Sequence, residues 1–134
     1  MDVPSTLTHG PVRTTVLRLK RRPDFLSAAR GQRWNAQAFQ LQAVRRASAI
    51  ADANAARIGF TTTKRLGNAV CRNRIRRRLK AASAEVAEGV ALAGYDYVFV
   101  ARPPALICAF ADLKADMERA FAGLTRRLRR DVPG

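Results

Sequence analysis

The stretch TTTKRLGNAVCRNRIRRRLK, from Thr61 to Lys80, carries eight Lys or Arg residues and no acid. Plotted at 100° per residue, the segment from about Asn68 to Val90 predicts a long helix with a narrow apolar stripe. Ile75, Leu79, Ala82 and Val86 fall within about 60° of one another, which predicts packing against a sheet. Outside that stripe every position from Arg72 to Lys80 is cationic, apart from Asn73 and the stripe residues themselves. A merely solvated helix face intersperses Glu with Lys, because like charges at i, i+4 cost a few tenths of a kcal/mol per pair. Here six cations repel one another without relief, which a polyanion would neutralise. Arginine outnumbers lysine five to one across 72–80, and its planar fork suits phosphate. Arg72, Arg74, Arg76, Arg77 and Lys80 therefore read as nucleic-acid contacts. Asn73, set between two arginines, adds a donor and an acceptor that can fix orientation. Gly67 allows a tight turn and Asn68 is a good N-cap, so the helix start offers free N–H groups to an anion.

The remaining elements follow from local pattern. RRPDFLSAARG predicts a short helix, with Pro23 near its start, Asp24 in the first turn and Gly31 as the stop. QAFQLQAVRR alternates: Phe39, Leu41 and Ala43 share one face, Gln40, Gln42 and Val44 the other. RIGFTTTK predicts a second strand, with Ile58, Phe60 and Thr62 opposite Gly59, Thr61 and Thr63. Residues 47–56 read as a variable connection. YDYVFVAR is apolar on both faces, hence a central strand closed by Pro103 and Pro104. Leu113, Met117, Phe121, Leu124 and Leu128 recur at helical spacing and predict a final amphipathic helix over about 110–129. The expected fold is a small α+β sandwich with helices packed on a sheet. If the long helices cover the apolar face, Gln40, Gln42, Thr61 and Thr63 line the other, with Phe25 at its border. An aromatic ring beside hydrogen-bonding side chains suits single-stranded nucleic acid; the plainer alternative makes Phe25 a core staple of its own helix.

Charge sharpens the choice of partner. Residues 1–80 hold 18 basic and 3 acidic side chains, while 81–134 hold 7 of each, with a further arginine cluster at 126–130. That asymmetry points to nucleic acid. No helix pairs aromatic anchors with a lysine face as a membrane surface would require, and no run approaches the ~18 apolar residues of a membrane helix. Cys71 and Cys108 suit a reducing cytoplasm and neither a disulfide framework nor a zinc site. The first 15 residues read as a flexible basic tail, though their Ser, Thr and Arg content also suits a transit peptide; residues 16–134 read as one domain. A stand-alone nuclease would need clustered carboxylates or a histidine base. Asp24, Asp52, Glu85, Glu88 and Asp96 show no metal-ligand spacing, and His9, the sole histidine, lies in the tail.

The stretch GFTTTKRLGNAVCRNRIRRRLK closely resembles the signature of the bacterial ribonuclease P protein subunit. RLKRRPDF resembles that family's first helix, and YDYVFVARPPA its last strand and following turn, so the likeness spans about 18–105. The resemblance implies a four-stranded sheet with a left-handed crossover around the basic helix, its fourth strand near Arg33–Gln37. It implies a protein cofactor, without bound metal, that forms a one-protein, one-RNA holoenzyme with a catalytic RNA. That RNA, using Mg²⁺ held by itself, removes the 5′ leader of precursor tRNA. By position the likeness assigns RNA contact to Lys64, Arg65, Gly67, Asn68, Arg72, Asn73, Arg74, Arg77 and Lys80, and leader contact to Phe25. This chain departs at Ala29, where a second aromatic is usual, and at Gln40 and Gln42, where larger groups are common. Leader stacking would then give way in part to hydrogen bonding. Charge alone fits a structural RNA-binding protein of the ribosome equally well, whereas a DNA-binding regulator lacks its dimerising helix.

Overall fold

The computed structural model describes residues 14–46 and 55–131. Its elements run β1 (Thr15–Arg18), α1 (Arg22–Ala29), β2 (Gln32–Asn35), β3 (Phe39–Arg45), β4 (Ala55–Thr61), α2 (Ala69–Val90), β5 (Tyr95–Ala101) and α3 (Phe110–Asp131). The strands form one open sheet in the order β1-β4-β5-β3-β2. Parallel pairing joins β1 to β4 and β4 to β5, and antiparallel pairing joins β5 to β3 and β3 to β2. Because β4 and β5 are parallel neighbours, the chain must cross the sheet between them, and α2 is that crossover.

The periodicities describe the core well. Phe39, Leu41, Ala43, Ile58, Tyr97 and Phe99 are buried on one sheet face. Over them lie Ile75, Leu79, Ala82 and Val86 of α2, and Leu113, Met117, Phe121, Leu124 and Leu128 of α3. Phe99 sits at the centre: its ring is edge-on to Phe39 at 5.1 Å and to Phe121 at 5.8 Å, and stacked on Phe60 at 5.6 Å. Each such side chain, fully buried, contributes about 1.5–3 kcal/mol. Among the described residues no helix is long and apolar enough to cross a membrane.

Three expectations are corrected. The sheet has five strands rather than about four, because Thr15–Arg18 pairs in parallel with Ala55–Ile58. Thr14 and Thr15, assigned to the tail, are therefore structured; the rest of the expected tail, residues 1–13, lies outside the described residues. Ala55 and Ala56, taken as connection, open β4 and are buried, while 47–54 lie outside the description. The short strand expected near Arg33–Gln37 occurs as β2, at Gln32–Asn35.

The second face of the sheet is not left open. Helix α1 crosses it, burying Leu19, Ala28 and Val98 with Phe25, Val44 and Val100 around them. Beside that cluster Asp96, 3% exposed, meets two arginines. Arg57 reaches it through Nη2 at 2.6 Å and Nε at 2.8 Å, and Arg46 through Nη1 at 2.9 Å. Arg57 also pairs with Asp24 of α1 at 3.5 Å, which ties the short helix to β4. Breaking a buried pair of this kind costs about 3–5 kcal/mol, since the surviving charge loses its partner.

Candidate nucleic-acid interface

Helix α2 starts as its sequence predicts. Asn68 is the N-cap, and its Oδ1 accepts from the Cys71 N–H at 2.9 Å. A short 3-10 turn, Lys64–Leu66, leads into it through Gly67, whose φ of 123° is closed to ordinary side chains. Lys64, Arg65, Asn68, Asn73, Arg74 and Arg77 are exposed, so the turn and the first half of the helix form a continuous cationic surface. Arg72 is half-buried, and its Nε is sequestered with no hydrogen-bond partner among the described residues. A buried N–H on a charged group is costly to leave unpaired.

The arginines of α2 do not all do the same work. Arg78 turns back into the protein, donating from Nη1 to the Ala105 carbonyl at 2.5 Å and from Nη2 to the Cys108 carbonyl. It anchors the turn that precedes α3. Arg76 is half-buried and donates to the Thr62 hydroxyl at 2.5 Å, which fixes its head over the end of β4.

Arg76 and Lys80 form one wall of a cleft of about 490 Å³ whose other lining includes Phe25, Gly59, Phe60, Arg18 and Lys20. Gly59 is what lets Phe25 in. A methyl group there would lie 2.5 Å from Phe25 Cζ and 3.1 Å from Leu19 Cβ. Two aromatic rings and four cations thus meet where α1, β4 and α2 converge. Phe60, on the Ile58 face of β4, stacks on Phe99, but it is only half-buried and also lines this cleft. Arg18 and Lys20, in the stretch that resembles a first helix, belong instead to the end of β1 and the residues after it, because the helix starts only at Arg22.

The expected polar face is divided. Gln42 is 9% exposed, and Gln40 and Thr61 are half-buried. Gln42 Nε2 donates to Gln40 Oε1 at 3.2 Å, and Gln40 Nε2 to Asn35 Oδ1 at 2.9 Å, a short amide ladder running toward the β2 edge. Phe25 stands over β4, two strands away from the β3 glutamines. Thr63 does not share their face by alternation, because β4 ends at Thr61 and Thr63 precedes the 3-10 turn, exposed. The aromatic ring therefore joins the cations of α2 rather than the amides of β3.

Comparison with known proteins gives a consistent picture. The family model for ribonuclease P matches residues 14–125. The ribonuclease P protein component of Paramagnetospirillum magneticum is 44% identical over 105 residues, covering 78% of this chain and 79% of that one. That of Ruegeria pomeroyi is 39% identical over 112 residues, covering 84% and 80%. Among solved structures, the Staphylococcus aureus RNase P protein superposes with a TM-score of 0.63 at 26% identity, covering 78% of this chain and 92% of that one. The Thermotoga maritima RNase P protein shares the fold, with a TM-score of 0.52 at 23% identity over 87% and 98% of the two chains.

Proposed function

The chain belongs to the ribonuclease P protein family, and we propose from that premise that it serves a catalytic RNA as its protein cofactor in 5′ maturation of precursor tRNA. The observation that carries this reading is the convergence at the start of α2. Exposed Lys64, Arg65, Arg74 and Arg77 and the N-capped helix start form one anionic-ligand surface, continuous through Arg76 and Lys80 with a cleft that holds Phe25 and Phe60. Charge alone would fit a ribosomal protein equally well; the family match separates the two.

Each part has a distinct role. The exposed cations and Asn73 hold the phosphate backbone of the catalytic RNA, with guanidinium forks giving bidentate contacts. The cleft takes the single-stranded 5′ leader, a ring supplying a stacking surface and the cations a path for its backbone. Gln40, Gln42 and Thr61 lie on the same sheet face as Gly59 and offer hydrogen bonds farther along it. Magnesium ions held by the RNA supply the hydrolytic chemistry, and the protein contributes binding and orientation. One protein per RNA suffices for this arrangement.

The test is reconstitution. Purified protein is added to a bacterial ribonuclease P RNA and precursor tRNA at low Mg²⁺, and cleavage at the 5′ junction is followed. Stimulated cleavage is expected. No stimulation would overturn the reading, and cleavage by the protein without RNA would move the chemistry onto the protein.

A further inference from the structure

The arginine cluster near the end of α3 has no part in the surface described so far, and the structure shows where it goes. Helix α3 packs against β2, the edge strand farthest from β1. Trp34 of β2 packs closely on Gly123: a methyl group there would fall 2.0 Å from the indole. The guanidinium of Arg127 covers the ring at 5.2 Å, and its Nη1 donates to the Arg33 carbonyl at 2.6 Å. Arg33 in turn donates from Nη2 to the Ala29 carbonyl at 2.6 Å. At the far end of β2, Arg102 donates to the Ala36 carbonyl at 2.9 Å and to Asn35 Oδ1 at 2.8 Å. Arg126 is exposed, and helical geometry sets it about 60° farther from the core than Gly123.

Two features distinguish this edge from an ordinary solvated surface. First, three arginines are oriented by neutral oxygens, and none of Arg33, Arg102, Arg126 and Arg127 pairs with a carboxylate among the described residues. Each guanidinium has five N–H groups and spends one or two on carbonyls or an amide oxygen, so its charge is fixed in place yet uncompensated. Second, the edge offers little ring for stacking: the Trp34 indole is half-buried, with Gly123 and Arg127 of α3 packed on it. Single strands are held by stacking together with charge. Charge without stacking suits a helical RNA segment, whose backbone is contacted from outside and whose bases are hidden.

We propose that the β2–α3 edge is a second RNA-binding surface, which grips the phosphate backbone of a double-helical segment of the catalytic RNA. It rests on the cofactor reading above. The basic turn and helix α2 lie toward β1, β4 and β5, with the β2 edge beyond β3. A protein with cations on both sides clamps two segments of one folded RNA.

The test uses the full-length protein and a bacterial ribonuclease P RNA without substrate. Arg33→Gln/Arg126→Gln removes two charges that lie outside α2 and the cleft lining, Arg33 also giving up its bond to the end of α1, and the slope of log K against log salt should flatten by about 1.8, at about 0.9 per phosphate contact on a duplex. Restoring charge with Arg33→Lys/Arg126→Lys should return most of the slope. Arg126→Gln alone, at a side chain with no partner to lose, guards against a folding artefact and should flatten it by about 0.9. An unchanged slope in the double variant overturns the proposal. So does a loss seen only with precursor tRNA and not with the catalytic RNA, which would make the single-stranded leader the occupant. If the wild-type protein itself fails to bind the catalytic RNA, the cofactor reading falls and this proposal falls with it.

Discussion

Phe25 shows how much turns on one contact. Its ring is half-buried, so part of it packs on Gly59 and Leu19 and part lines the cleft. The packed portion is what a staple requires, and the portion in the cleft is what the proposed leader contact would use. Phe25→Ala is expected to lower the affinity for precursor tRNA about 5- to 150-fold, the equivalent of the roughly 1–3 kcal/mol that stacking one base contributes. Mature tRNA, which has no leader, should bind as before. Stability should fall by only about 1–2 kcal/mol, less than the 3–5 kcal/mol of a fully buried phenylalanine. Equal losses for the two tRNAs in parallel binding titrations would make Phe25 a staple and place the leader elsewhere. Neither Gly59 nor Phe60 could have been picked out beforehand. A glycine in a strand signals close approach of something, but only the folded chain says that the visitor is an aromatic ring from residue 25.

At the scale of elements, long strongly periodic segments were legible from spacing; of the two short edge strands, β2 was expected through the family likeness and β1 was not expected at all. The start of α2 at Asn68 and its buried stripe at Ile75, Leu79, Ala82 and Val86 follow from spacing alone, as does the α3 stripe from Leu113 to Leu128. β1 was missed because four residues with exposures that do not alternate cleanly carry no period-2 signal; it is a strand because β4 offers it an edge. The same limit applies to the charges on α2. A helical wheel separates apolar from polar directions, and it placed Arg78 outside the stripe, yet it cannot show that the turn before α3 waits there with two carbonyl oxygens. Arg78 and Arg77, adjacent and chemically identical, should therefore behave in opposite ways. Arg78→Ala leaves the turn unpinned and is expected to destabilise the fold by about 1.5–3 kcal/mol, the range for hydrogen bonds to a charged group. Arg77→Ala should leave the melting temperature unchanged and weaken RNA binding with a flatter salt slope. Thermal melts alongside RNA titrations of the two variants decide the matter; a stable Arg78→Ala protein would show that these bonds are dispensable.

For the whole molecule the governing fact is a formal net charge of +15 on 134 residues, with the surplus lying in the first 80. The fold tolerates it by segregation. The carboxylate most deeply engaged, Asp96, is spent on Arg46 and Arg57 in the interior, and among the described residues the cations of the α2 surface and the β2 edge have no carboxylates to answer them. Such a chain is stabilised by whatever neutralises it. Raising monovalent salt from about 0.01 to 0.15 M shortens the Debye length from about 30 to 8 Å, which screens repulsion between exposed cations and barely touches the Asp96 pairs. The free protein should therefore melt at a higher temperature in the higher salt, with about 4 °C for each kcal/mol of repulsion relieved. Sulfate at equal ionic strength should raise it further, since a divalent anion can lie between two guanidiniums. RNA affinity should move the opposite way, falling steeply with salt as bound counterions cease to be released. The two responses have one cause, a cationic surface built for a polyanion, so their signs must differ. A melting temperature that fell on adding salt would mean that exposed ion pairs, and not repulsion, dominate the surface, and the segregation described here would be wrong.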